Sequence, residues 1–271
     1  MTYEVLARRL RPSGFTELVG QDQTVRALTN ALDSGRLHHA YLFTGTRGVG
    51  KTTIARILAK CLNCEEGVSS QPCGRCSACI GIKENSFIDL IEVDAASRTG
   101  VDDTRELLEN TQYLPSNGRF KVYLIDEVHM LSKQAFNGLL KTLEEPPPSL
   151  KFILATTEVK KIPVTILSRC QRFDLPRVKS MELLKFIEKI KDKENGKVSE
   201  EALKFIVKAS EGSVRDALSL LDKGLLSVNN DEELNLSKAQ KIFGYFDKSQ
   251  LIDLFEFILK GDEIKAVSYT H

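Results

Sequence analysis

The chain has 271 residues, 42% of them hydrophobic and 28% charged, an ordinary composition for a soluble protein with room for one large domain or two to three small ones. Its 38 basic and 37 acidic residues leave a formal net charge of +1, so bulk charge gives no ground for nucleic-acid binding and any such contact must come from a local patch. No run approaches the roughly 18 consecutive apolar residues of a membrane span, and the opening Met1 to Pro12 lacks the apolar centre of a signal peptide; the expectation is a cytoplasmic protein with no membrane partner.

The first clear element is Ala40 to Phe43, a short apolar run that reads as a buried parallel strand. Gly45-Thr46-Arg47-Gly48-Val49-Gly50-Lys51-Thr52 follows and satisfies every fixed position of the phosphate-binding pattern G-x-x-x-x-G-K-[ST]. Four such positions arise by chance in a chain of this length about one time in a hundred. From Thr52 to Leu62, apolar residues at helical spacing (Ile54, Ile57, Leu58, Leu62) predict a helix, which sets the loop between strand and helix. There Gly45, Gly48 and Gly50 let the backbone turn its N–H groups inward, and the positive end of the helix adds attraction for phosphate. Lys51 is expected to reach the β- and γ-phosphates of ATP, and the Thr52 hydroxyl to ligate Mg²⁺. Thr46, Val49 and Thr53 complete the expected nucleotide cradle.

Six cysteines are present, four of them as Cys64-x8-Cys73-x2-Cys76-x2-Cys79. In a cytoplasmic chain this spacing points to metal rather than disulfides. Four thiolates can close a tetrahedral shell around Zn²⁺ and order the polar loop Glu65 to Pro72. An iron–sulfur cluster is one rival, although the proline-flanked fourth cysteine of the ferredoxin pattern is missing, and free thiols are the other. Cys61 and Cys170 read as packing residues.

Strand and helix signals then alternate. Strands are predicted over Asp89 to Val93, Lys121 to Ile125 and Lys151 to Thr156. One helix is capped by Asp102 or Asp103 and runs through Leu114; another is capped by Ser132 and stopped by Pro146-Pro147-Pro148. This order predicts an α/β fold, a parallel sheet covered on both faces, with ligands at the carboxyl ends of its strands. Beyond Pro176 helices alone are predicted, from Ser180 to Lys193, from Ser199 to Ser210 and from Val214 to Leu226. A last helical segment from Ser237 is interrupted near Gly244 and Gly261, and its Ile252, Leu254, Phe255 and Ile258 have little chain left to pack on.

Val122 to Ile125 deliver Asp126 and Glu127 to a strand end. Such a pair suits an ATP site, Asp126 holding Mg²⁺ through water and Glu127 orienting and deprotonating the attacking water. Arg169 in Ser168-Arg169-Cys170, after a short turn opened by Pro163, and Arg215 in Gly212-Ser213-Val214-Arg215-Asp216-Ala217 add two cations.

With these in place the chain resembles the clamp-loader group of AAA+ ATPases, from Tyr3 to about Phe243. The likeness rests on Arg11-Pro12, Phe15 and Val19-Gly20-Gln21, on His38 to Phe43, on the phosphate loop and on the four cysteines. It extends through Asp94 to Arg98, Asp126-Glu127-Val128-His129, Leu143 to Pro147, Ser168 to Cys170 and the Gly212 to Ala217 stretch. The resemblance implies a nucleotide-binding domain over 1–178 with a zinc-binding insertion near 62–82, a helical lid domain over 179–241 and the start of a helical collar over 242–271. It implies that Arg11, Pro12 and Val19 line the adenine pocket, that Thr157 senses the γ-phosphate and that Arg215 contacts phosphate from the lid. Arg169 is similar to the group's finger, acting on ATP held by a neighbouring subunit.

Other loader subunits, a sliding clamp and primer–template DNA are the implied partners, and zinc is structural. Arg98, Arg105, Lys141 and Lys161 match positions that could face DNA, with Gly100 where a further basic residue would strengthen the patch. Because the chain stops at His271 within the implied collar, a monomer or weak oligomer with low ATPase activity is expected, against a hetero-oligomeric ring at full length. Two other readings stand. A helicase-type AAA+ DNA translocase would need a pore loop or DNA-inserting hairpin that the sequence does not display; a zinc-bearing nucleic-acid-binding module would hold its nucleotide only as structure.

Overall fold

A computed structural model describes residues 4–97, 113–228, 232–244 and 248–262. Five strands, β1 (Ala40–Thr44), β2 (Leu90–Asp94), β3 (Lys121–Asp126), β4 (Leu150–Thr156) and β5 (Gln171–Asp174), form one parallel sheet in the order β2-β3-β4-β1-β5. Helices α1 (Leu6–Arg9) and α2 (Asp22–Asp33) precede β1; α3 (Lys51–Asn63) and α4 (Ser77–Glu84) follow it. Helices α5 (Lys133–Glu144) and α6 (Val164–Leu167) stand before β4 and β5.

Topology decides which helix covers which face. The chain leaves β1 for the far edge at β2, returns strand by strand to β4, then passes over β1 to β5. Right-handed crossovers in opposite directions put α3 on one face and α5 and α6 on the other. Strand residues divide accordingly. Tyr41, Phe43, Val122, Leu124 and Ile153 pack with Ile54, Ile57, Leu58 and Leu62 of α3 and with Leu28 and Leu32 of α2. Their neighbours Leu42, Tyr123, Ile125, Phe152 and Leu154 pack with Phe136, Leu139 and Leu143 of α5 and Ile166 of α6. Each such side chain contributes about 1.5–3 kcal/mol by burial.

Boundaries of the foreseen elements agree to within a residue or two. Ser132 caps α5 by accepting the Ala135 N–H at 3.2 Å. The helix expected from Asp102 or Asp103 falls mainly in residues outside the described ones; Tyr113 and Leu114, at its expected end, are not helical. Neither β5 nor α4 is foreseen in the sequence. β5 reads Gln-Arg-Phe-Asp with one buried residue, Phe173, because it is an edge strand.

A third core belongs to the helices after Pro176: α7 (Ser180–Lys193), α8 (Glu200–Ala209), α9 (Val214–Leu226) and α10 (Leu236–Phe243). Leu183, Ile187, Leu203, Ile206 and Leu221 fill it. Ser199 and Ser213 cap α8 and α9 through the Ala202 and Asp216 N–H groups. Leu6 of α1 also packs here, and its N–H donates to Asp222 Oδ2 at 3.2 Å, so the start of the chain is tied to the helical unit rather than to the sheet. In α11 (Lys248–Lys260), Ile252, Phe255, Ile258 and Leu259 are exposed. Among the described residues no helix is long and apolar enough to cross a membrane.

Candidate nucleotide site

The loop between β1 and α3 carries Gly45, Gly48 and Gly50 at φ 148, 79 and 105°. At Gly48 the conformation and the space both demand glycine: a Cβ there would lie 2.0 Å from Ser213 Oγ at the start of α9. Arg215 N–H reaches back to Gly48 O at 3.4 Å, so the lid helix rests directly on the loop. Gln21 Nε2 donates to Pro176 O at 3.0 Å and to Val49 O at 3.5 Å, joining the loop to the segment that leads into the lid.

Lys51 is buried and folds over the loop, donating through Nζ to Gly45 O at 2.9 Å and Thr46 O at 3.0 Å. Burial lowers its pKa; Glu127 and Asp126 oppose that shift and Arg215 adds to it. Thr52 Oγ1 donates to Asp126 Oδ2 at 2.7 Å, bringing together the two groups expected to hold Mg²⁺. Glu127 N–H donates to the other oxygen, Asp126 Oδ1, at 2.9 Å. Glu127 has φ 47°, a left-handed backbone that costs a non-glycine residue about 1–3 kcal/mol and re-aims its carboxylate as the strand ends.

Thr157, one residue past β4, does not line the cavity. Its N–H and Oγ1 donate to Glu127 Oε2 at 3.2 and 2.9 Å, which sets the residue expected to sense the γ-phosphate against the carboxylate. A cavity of about 500 Å³ opens over the loop. Arg11, Pro12 and Val19 line one part of it; Gly48 to Thr53, Asp126, Glu127 and Arg215 line the rest. Burial lowers the pKa of Arg11, Arg56 and Arg215 adding to the effect and Glu92 opposing it. Leu10, just past α1, Phe186 of α7 and Leu218 of α9 give the cavity an apolar wall that sequence reasoning missed, since each reads only as an apolar packing position. The arrangement offers backbone N–H groups, Lys51 and Arg215 to a triphosphate, an apolar slot to a base, and two carboxylates to a metal and a water.

Arg169 lies elsewhere. It precedes β5, whose Gln171 pairs with Tyr41 at the amino end of β1, whereas the loop leaves the carboxyl end. Its guanidinium donates to Glu144 Oε1 at 2.6 Å and Thr165 O at 2.7 Å. It does not line the cavity of its own chain.

The sulfurs of Cys64, Cys73, Cys76 and Cys79 all lie within 4.8 Å of one another. A tetrahedral ion with bonds near 2.3 Å needs sulfurs about 3.8 Å apart, so the set fits a metal. Backbone N–H groups support it, from Cys73 to Cys64 Sγ, Cys76 to Cys73 Sγ and Cys79 to Cys76 Sγ, at 3.3 to 3.4 Å. The Arg75 N–H contributes most to bringing the Cys73 thiol down to about 7. Arg119 fixes the module to the sheet by donating to Leu62 O and Cys64 O at the end of α3. Cys61 and Cys170 pack against the cores, where burial pushes both thiols up to about 12. Of the basic residues expected to meet DNA, Lys141 is exposed on α5 and Lys161 pairs with Glu158 at 2.9 Å; Arg98, Arg105 and Gly100 lie outside the described residues.

A parallel sheet in this order, with a glycine loop leaving β1 and helices folded over it, has the architecture of the AAA+ P-loop proteins. The Thermotoga maritima RuvB Holliday junction branch migration motor shares it, at a TM-score of 0.63 and 22% identity over 92% of this chain and 79% of that one, a likeness of fold alone. Residues 20–179 match the family model described as DNA polymerase III, delta subunit, and residues 184–228 the ATPase lid domain of the DNA polymerase III clamp loader subunit. DNA polymerase III subunit tau of Escherichia coli is 51% identical over 98% of this chain and 42% of its own length. Subunit gamma of Buchnera aphidicola subsp. Schizaphis graminum is 50% identical over 98% and 73%. The chain belongs to the DNA polymerase III tau/gamma family. It spans about two fifths of the tau relatives it matches.

Proposed function

We propose that the protein is the ATP-binding and ATP-hydrolysing motor subunit of a bacterial DNA polymerase III clamp loader, using ATP to open a sliding clamp and load it onto primed DNA. The observation that carries this reading is the approach of Thr52 to Asp126 at 2.7 Å, with Glu127 beside them and the phosphate loop beneath, in a chain half identical to the tau and gamma subunits. Arg11, Pro12 and Val19 receive the adenine. Lys51 leaves its carbonyl partners for the β- and γ-phosphates, Thr52 and Asp126 hold Mg²⁺, and Arg215 contacts phosphate from the lid. Mg²⁺, when bound, neutralises charge on the β- and γ-phosphate oxygens. Glu127 orients the attacking water and takes its proton as the water oxygen bonds to the γ-phosphorus and the bond to the β–γ bridging oxygen breaks. Arg169 does its work on the nucleotide of a neighbouring subunit.

The proposed setting is a cytoplasmic hetero-oligomeric ring with other loader subunits, the clamp and primer–template DNA. Residues 1–178, 179–241 and 242–271 serve as nucleotide-binding domain, lid and start of a collar; Arg98, Arg105, Lys141 and Lys161 are candidate phosphate contacts to DNA. ATP turnover of the full-length protein is expected to be highest only with partner subunits, clamp and primer–template DNA together. Turnover indifferent to all of them overturns the reading.

Zinc is the proposed occupant of the four thiols, in a structural role. Metal analysis of the purified protein is expected to find one Zn²⁺ per chain. Stripping it with a chelator should loosen the Glu65 to Pro72 loop, seen as new protease cleavage there. Visible absorbance from iron would overturn the assignment.

A further inference from the structure

His129 is used by none of the steps above, yet it stands against the residue on which hydrolysis is proposed to turn. It sits on the short turn Val128–Met130, and its side chain is 6% exposed. Nδ1 lies 2.9 Å from Thr156 Oγ1, at the end of β4, and 3.4 Å from Glu127 Oε2. Nε2 points the other way, 3.6 Å from Glu158 Oε1, a carboxylate that Lys161 also pairs. Thr156 Oγ1 already accepts the Glu158 N–H at 3.0 Å, which leaves its own proton free to meet Nδ1. The ring thus clamps the ends of β3 and β4 together just where they present Glu127 and Thr157.

We propose that His129 is a positioning residue for ATP hydrolysis: by holding Thr156, and through it the β4 end that carries Thr157, its Nδ1 edge fixes the carboxylate of Glu127. Oε2 accepts from Thr157 N–H and Thr157 Oγ1. Oε1 is then the oxygen left to take the proton from water. The proposal rests on the reading of Glu127 as the base. The Nε2 edge, at 3.6 Å from Glu158, is too far for a good hydrogen bond and carries no such duty.

The two edges can be separated by isosteres, since the amide of Asn occupies the place of Nδ1 and that of Gln the place of Nε2. In the assembled complex, single-turnover hydrolysis and affinity for a fluorescent ATP analogue are measured for His129→Ala, His129→Asn and His129→Gln, with melting temperatures alongside. His129→Ala is expected to slow turnover about 10- to 100-fold, the cost of a misplaced catalytic group, while nucleotide affinity holds. His129→Asn should recover most of the rate and His129→Gln should not. Wild-type turnover in His129→Ala, equal rates in the Asn and Gln variants, or loss of nucleotide affinity in all three overturns the proposal. Should His129→Ala fail to fold, the Asn and Gln pair still decides. Glu127→Gln is the control: a Glu127→Gln enzyme that still turns over ATP defeats the reading of Glu127 itself, whereas a dead one beside an active His129→Ala defeats only the role of His129.

Discussion

Glu127→Gln is expected to lower ATP turnover in the assembled complex by about 10²–10⁴-fold, the contribution of a positioned general base, while leaving nucleotide affinity unchanged. The substitution is nearly isosteric. A glutamine oxygen can still accept from Thr157 N–H and Oγ1, which now meet Oε2 at 3.2 and 2.9 Å, so the strand ends keep their geometry. Lys51, Thr52 and Asp126, the groups proposed to hold phosphate and Mg²⁺, are untouched. What disappears is the capacity to take a proton from water. Equilibrium nucleotide binding and single-turnover hydrolysis, measured on the same preparation, separate the two; a rate within a few-fold of wild type removes Glu127 from the chemistry.

Arg169→Ala should slow hydrolysis about 10³–10⁵-fold, the range for an arginine finger, but at the neighbour's site and not its own. Its guanidinium lies at the amino end of β5 and does not line the cavity of its chain, so nucleotide affinity there should not change. The fold should survive as well. Arg169 is paired with Glu144 at 2.6 Å in a partly exposed bridge, and such pairs contribute about 0–1 kcal/mol. An assembly carrying the variant in one subunit is expected to lose turnover at one junction only. Loss of affinity in the variant's own pocket, or undiminished turnover next door, would sink this division of labour.

Much of this site was legible in the chain because its parts are local. The phosphate loop, Asp126 with Glu127, and the cysteine run are each a few residues long, and Val122 to Ile125 read as a strand because both faces of the sheet bury them. Where an element is exposed on one side the signal fades: β5 shows only Phe173 to the core, and the brief α4 contains Gly81. Pairings across distance were not legible at all. Nothing in the sequence ties Arg169 to Glu144, Thr157 to Glu127, or Leu6 to Asp222; the sheet and the lid bring these partners together. His129 falls between the cases. It stands two residues past Glu127, but its value as a clamp appears only once β4 lies beside β3.

The separation of Arg169 from the loop has a geometric corollary. On the proposed roles each chain carries a socket at one end of its sheet and a key at the other, and neither fits the other within one molecule. Two copies related by a twofold axis would bring like ends together, so productive contacts must run head to tail. A row of such chains has a direction, and every complete site belongs to a junction rather than to a chain. An arc left open at one point therefore has one socket without a key, and closing or breaking that gap changes how many sites can fire.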